Sequence, residues 1–167
     1  MKTIKLTQGQ FALVDDADYD WLNQYKWCAF KCRESFYAIR RSIRTNEKGK
    51  HYSVYMHRQI LGLGYGDSRQ ADHIDHNTLD NRRDNLRICT CQQNHFNRKP
   101  DSNSTSRFKG VCWDKQYQKW QVDINIKGKH KKLGRFTDEK EAALAYDKAA
   151  IQEFGDFALL NFNQNNA

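Results

Sequence analysis

The chain has 167 residues, 38% of them apolar and 13% aromatic, with a formal net charge of +8. Its length suits one ordinary domain or two small ones, and its aromatic share argues against disorder and for small cores built around Trp and Tyr. The excess of cations favours a polyanionic partner, nucleic acid before membrane, and no apolar run approaches the roughly 20 residues of a membrane span.

The start, MKTIKLTQGQF, has no apolar stretch of the signal-peptide kind, so a cytoplasmic protein associated with DNA is expected. FALV (11–14) reads as a strand, and DADYDWLNQY (16–25) as a short helix opened by acids. KWCAFKC and SFYAIRRSI read as strands, and VYMHRQILGL (54–63) as a helix from about Met56. Residues 31–60 carry eight Lys/Arg against two acids, and residues 107–135 carry nine against two. Two separate surfaces for a polyanion follow from that spacing.

Further on, Asp72-His73 is expected at a strand end. A long loop, HNTLDNRRD, comes next. Asn85-Leu86-Arg87 then opens a second strand, and TCQQNHFN (90–97) begins a helix with Thr90 as its N-cap. The order is strand–loop–strand–helix. NRKPDSNSTS (97–106), with the only proline of the chain, is polar and without periodicity, so residues 100–106 read as a linker between segments 1–99 and 107–163.

After the linker, FKGVCW, KWQVDINI and KKLGRF are three short strands. In the second, Trp120, Val122, Ile124 and Ile126 share one face, while Lys119, Gln121, Asp123 and Asn125 share the other. Thr137 is expected to cap a helix over about 138–154, with Ala142, Ala145/Tyr146, Ala149 and Phe154 as its apolar stripe. The helix is acidic and must cover the apolar face of a three-stranded sheet. The basic face therefore remains for phosphate. The expected class is α+β, with βββα as the second unit.

The segment 71–97, ADHIDHNTLDNRRDNLRICTCQQNHFN, holds the chemistry. Hydrolysis of a phosphodiester needs a base for water, a cation for the developing charge and a group that orients the base. Asp72 offers a carboxylate and Asn94 a carboxamide oxygen, which suit a hard divalent ion, Mg²⁺ first and Mn²⁺ second. His73 is then available as the base, and Asn85 can accept from its imidazole and orient it. Arg82, Arg83, Arg87 and Arg98 are candidate phosphate contacts; the bland alternative is surface pairing with nearby acids. His57 reads as a structural brace. Cys28, Cys32, Cys89, Cys91 and Cys112 are odd in number and irregular in spacing, so free thiols are expected over a zinc site.

Segment 56–97, with MHR, ADHIDHNTLDNRRDNLRICT and QQN, resembles the HNH endonuclease family. It is most similar to the phage and intron-encoded homing branch that uses His-Asn-Asn. The resemblance implies a ββα-metal (His-Me finger) module at about 70–98 behind an N-terminal β-rich segment. It also implies one divalent ion, duplex DNA as substrate and a setting in a bacterial or phage-infected cell. His73 and Asn85 fall on its catalytic positions, and Asp72 and Asn94 on its metal positions. The wider family often has histidine where Asn94 stands.

Segment 107–162, with SRFKGVCW, KWQVDI, KKLGRFTDEKEAALAYDKAA and FGDFALLNF, resembles the plant ethylene-response-factor (ERF) DNA-binding domain. That resemblance implies a sheet laid in the major groove. Lys109, Asp123, Asn125, His130 and Lys132 fall on contact positions, and Lys119 and Gln121 share the exposed face. Cys112 replaces a contacting arginine, so base preference is not carried over. A monomeric enzyme without an organic cofactor is expected. The rival readings are a DNA-binding regulator with an inactive nuclease fold, and an RNA-binding protein, which the lack of an aromatic stacking pair on the polar face disfavours.

Overall fold

In the computed structural model, residues 1–98, 104–126 and 128–162 are described. Much of the expected linker, residues 100–103, lies outside them, as does residue 163. The chain divides into two compact units, Met1–Cys91 and Gln92–Ala167.

The first unit opens with an antiparallel hairpin of β1 (Lys2–Lys5) and β2 (Phe11–Val14). Gln8 and Gly9 at its tip both have positive φ, 59° and 68°, which suits a tight hairpin turn. The short helix α1 (Asp16–Leu22) follows. Strands β3 (Cys28–Cys32), β4 (Ser35–Thr45) and β5 (His51–Tyr55) form an antiparallel sheet in that order. The helix expected from Met56 is α2 (Met56–Ile60), a single short turn that buries Met56, His57 and Ile60. Leu22, Met56, Val14 and Trp27 are fully or almost fully buried at the centre of this unit. The indole of Trp27 donates to the Leu22 carbonyl at 2.9 Å, so its polar edge is satisfied inside the core. Arg40 lies over the Tyr25 ring at 4.1 Å and donates to Gln59 Oε1, which makes it a structural cation.

Strands β6 (Gln70–His73) and β7 (Leu86–Cys89) pair antiparallel, with Asp72 opposite Arg87 and His73 opposite Leu86. The loop between them ends in a 3₁₀ turn, Arg83–Asn85. Helix α3 (Cys91–Phe96) starts where the first unit ends.

In the second unit, β8 (Val111–Asp114), β9 (Lys119–Ile126) and β10 (Lys129–Phe136) form an antiparallel sheet in the order β10-β9-β8. The long helix α4 (Glu139–Phe154) packs on it. Val122 and Ile124 are buried, and Trp120 and Ile126 pack partly buried beside them, so the apolar face of β9 is the one its alternation implies. Two details differ from expectation. Asp138, not Thr137, is the N-cap of α4; it sits in extended backbone and its carboxylate accepts from the N–H groups of Lys140 and Glu141 at 2.8 and 2.9 Å. The buried stripe keeps the expected Ala142, Tyr146 and Phe154 and adds Ala143 and Ala150, while Ala149 packs only partly buried against it. Five alanines between 142 and 150 let several stripes satisfy a helical period, and only contact with the sheet selects one.

The Phe96 and Phe154 rings stack at 3.7 Å, which ties α3 to α4 within this unit. No helix among the described residues is long and apolar enough to cross a membrane.

Gly110 is where backbone meets helix. Its φ is +74°, and a Cβ there would lie 2.1 Å from the Tyr146 ring and 2.8 Å from the Asp123 carbonyl. Gly110→Ala therefore combines a left-handed backbone with a clash. We expect a loss of at least about 2 kcal/mol in stability of this unit, read as a lower urea midpoint by Trp fluorescence.

Candidate active site

Asp72 and His73 close strand β6, and both side chains are buried. The strand's pleat sends neighbouring residues to opposite faces, so the two side chains serve different neighbours. Asp72 faces its cross-strand partner: Arg87 Nε and Nη2 donate to Asp72 Oδ2 at 2.9 and 2.8 Å. His73 faces the loop, where its Nε2 lies 3.3 Å from Asn81 Oδ1.

That contact defines a tautomer. Asn81 Nδ2 donates to the Leu79 carbonyl at 3.2 Å, which leaves Oδ1 as the atom turned to the imidazole. An oxygen acceptor requires Nε2–H on His73 and puts the ring's lone pair on Nδ1. Burial lowers the His73 pKa, and the Asn81 bond and the carboxylates of Asp72, Asp75 and Asp80 oppose the shift. The net direction is downward, so the ring is neutral and basic at neutral pH.

Asn81 was not singled out by sequence reasoning. Among the asparagines of 71–97 nothing local distinguishes it. Its role comes from burial (1% exposed) and from its backbone, which donates to the Leu13 carbonyl of β2 at 2.8 Å. Leu13 in turn donates to the Leu79 carbonyl at 2.8 Å. The loop is thus pinned to the N-terminal hairpin.

Asn85 does something other than expected. It makes no bond to the imidazole. Its Oδ1 accepts from the Asp75 N–H at 3.0 Å, and its Nδ2 donates to the Asp80 carbonyl at 2.9 Å. The 3₁₀ turn directs its carboxamide into the loop, so Asn85 holds the loop closed and acts on His73 through Asn81's placement.

The arginines expected on phosphate have partners within the chain. Arg82 grips Asp80 through Nε at 2.9 Å and Nη2 at 2.6 Å. Arg83 holds Asp18 of α1 at 2.7 and 2.8 Å. Arg87 holds Asp72, as above. The alternative of pairing with nearby acids therefore describes all three. Arg98 is exposed. Lys109 also differs: its Nζ donates to the carbonyls of Phe96 and Arg98, at the C-terminal end of α3. A cation is favoured there by the helix dipole and the unsatisfied carbonyls. Burial lowers its pKa to about 8. Lys109 is a cap, not an outward-facing DNA contact.

On the second sheet, His130 pairs across strands with Asn125, and Lys132 with Asp123. Cross-strand partners share a face, so these four side chains stand together with Lys119 and Gln121 on the side away from Val122 and Ile124. Gln121 Nε2 donates to Asp123 Oδ2 at 2.6 Å.

Asn94 lies in α3, within the second unit, and Asp72 in the first. Among the described residues, no three His, Cys, Asp or Glu side chains gather as metal ligands. A carboxylate with a carboxamide oxygen suits a hard ion that keeps most of its shell as water and phosphate oxygen, as Mg²⁺ does. It does not suit a closed zinc site. The described cysteines are free thiols.

Residues 54–96 match the family model described as HNH endonuclease. Over 158 residues the chain is 31% identical to an uncharacterized HNH endonuclease of Acanthamoeba polyphaga mimivirus, covering 92% of this chain and 76% of that protein. It is 38% identical over 58 residues to Protein 3.8 of Escherichia phage T7, covering 35% of this chain and 48% of that one. A 58-residue segment is 43% identical to an AP2-like ethylene-responsive transcription factor of Arabidopsis thaliana, covering 35% of this chain but only 13% of the plant protein.

Two outcomes follow from the site. Asn85→Ala leaves the Asp75 N–H and the buried Asp80 carbonyl without their partner, at a cost of about 1–3 kcal/mol, measurable by urea unfolding. The second concerns pH. Burial is the main cause that lowers the His57 pKa from 6.5 to about 3. The unfolded chain therefore takes this proton first, and the stability is complete above the unfolded value and lost as pH falls toward the folded one. The unfolding midpoint should drop between pH 7 and pH 4, and less steeply in His57→Phe.

Proposed function

The chain belongs to the HNH endonuclease family, and from that premise we propose that it is a metal-dependent, homing-type endonuclease that cuts or nicks double-stranded DNA. The observation that carries this reading is the buried His73, whose Nε2 faces Asn81 Oδ1 while Asp72 stands next to it on the same strand end.

In this reading His73 Nδ1 takes a proton from water. The water oxygen forms a bond to phosphorus as the bond to the 3′ oxygen breaks in line, and solvent returns a proton to that oxygen. The products are a 5′-phosphate and a 3′-hydroxyl. Asn81 keeps the imidazole in the tautomer that can accept, and Asn85 keeps the loop that carries Asn81. Asp72 and Asn94 are the residues that would hold one divalent ion, Mg²⁺ or Mn²⁺, which when bound stabilises charge on the phosphate and the leaving oxygen. Arg87 holds the Asp72 carboxylate in place.

The nuclease module spans residues 1–99. The module at 107–163 supplies duplex affinity through the polar face that carries Lys119, Gln121, Asp123, Asn125, His130 and Lys132. The groove beside β4 and β5, lined in part by Arg41, Lys50 and His51 and, among the described residues, by no carboxylate side chain, is consistent with the same polyanionic partner. The protein acts as a monomer on DNA in the cytoplasm.

Incubation of supercoiled plasmid with Mg²⁺ tests the reading. We expect nicked or linear product, none with EDTA, and loss of at least about 10³-fold in rate for His73→Ala with plasmid binding retained. Binding without Mg²⁺-dependent cleavage by the wild-type chain would instead identify a regulator on an inactive nuclease fold.

A further inference from the structure

Four rings from four elements close into one cluster around His57. Tyr37 comes from β4, Tyr55 ends β5, His57 lies in α2 and His73 ends β6. The His57 and His73 centroids are 4.8 Å apart with planes tilted by 58°. Tyr55 lies 5.6 Å from His57, and Tyr37 lies 5.8 Å from His57 and 6.3 Å from His73. His57 is only 7% exposed, and its Nδ1 is enclosed without a hydrogen-bond partner among the described residues.

An enclosed polar nitrogen without a partner carries a cost, because it gives up its bond to water and gains none in return. Phenylalanine would fill the same place among the rings without that cost. Native chains keep few such atoms, and those they keep call for a reason. Low pKa means that the ring is neutral at neutral pH, with one N–H and one lone pair to offer. Asn81 holds one edge of the His73 ring, and the His57 ring stands against that ring at 4.8 Å and limits its movement. A misplacement of about 1 Å at a base costs on the order of 10²-fold in rate, so this wall bears on the chemistry.

We propose that His57 is a second functional histidine of this site: a positioning residue whose ring holds the His73 imidazole, and whose Nδ1 gains its hydrogen-bond partner when an ion and duplex DNA enter. The proposal rests on the nuclease reading above, and two measurements separate the fates of the two.

The first needs no cleavage. Protein labelled with ¹⁵N at histidine is observed by NMR alone, then with Ca²⁺ and a saturating short synthetic duplex. The His57 Nδ1 resonance should move to a hydrogen-bonded shift in the complex; an unchanged resonance at saturation overturns the proposal, whether or not the protein cuts. The second uses plasmid nicking with Mg²⁺. His57→Phe should keep the fold and plasmid binding, lose about 10- to 100-fold in kcat with KM unchanged, and shift the His73 ring resonances of the free protein. His57→Asn, which restores a polar group, should recover part of the loss. Nicking by His57→Phe at the wild-type rate overturns the proposal and leaves the nuclease reading intact. An inactive wild-type chain overturns the nuclease reading, and the NMR measurement still decides the role of His57.

Discussion

The Asn85 carboxamide bridges the two ends of the loop between β6 and β7, taking the Asp75 N–H on one side and giving to the Asp80 carbonyl on the other. Every feature of the site depends on that closure. It brings Asn81 to His73, lets Asp80 grip Arg82, and sets the loop edge against β2, where the Asn81 N–H donates to the Leu13 carbonyl and the Leu13 N–H donates to the Leu79 carbonyl. One side chain thus converts a polar stretch with little apolar content into a rigid support. The enthalpy is local and the order it imposes is not, since the loop has few buried apolar contacts of its own to hold it.

Charge is used twice in this chain. Around the site, Arg82, Arg83 and Arg87 are paired with Asp80, Asp18 and Asp72, carboxylates that are all buried. Such pairs gain Coulomb energy and lose hydration, so their net contribution to stability is small. Their larger effect is geometric: Arg87 holds a carboxylate that would otherwise swing, and Arg83 joins α1 to the 3₁₀ turn. Other cations face solvent, among them Lys119 and Lys132 on the polar sheet face of the second unit and Arg41 on β4. A count of basic residues along the chain does not separate these two uses, because a guanidinium in an ion pair and one facing solvent have the same letter.

Much of the fold was legible. Period-two alternation in KWQVDINI chose the correct buried face, and HNTLDNRRD (76–84) lies in the loop between two strands as expected. Asn85, expected to open the second strand, instead ends a 3₁₀ turn, and the strand begins at Leu86. The expected helix start at Met56 holds because apolar Met56 and Ile60 recur at helical spacing. Strand β1 and the separate strand β5 were not anticipated. KTIK and HYSVY are short, and pairing with a neighbour, not propensity, makes them strands. At the site, the residue types were legible and the contacts were not. Asn85 stood out by its motif, but its partners are loop backbone; Asn81, which faces the imidazole, looked like any other loop asparagine.

The sequence by itself determined which chemistry the chain can carry: a histidine beside an aspartate at a strand end, hard oxygen donors, cations for a polyanion and two modules with their own periodicity. Residue type and local period are properties of adjacent letters, and they survive any later arrangement. The tertiary structure alone decided which asparagine meets His73, that Lys109 caps a helix, that three arginines are committed to carboxylates, and that a buried His57 stands ring to ring with His73. Those are relations between residues far apart in the chain, fixed by which backbone groups find partners on folding, and no local pattern encodes them.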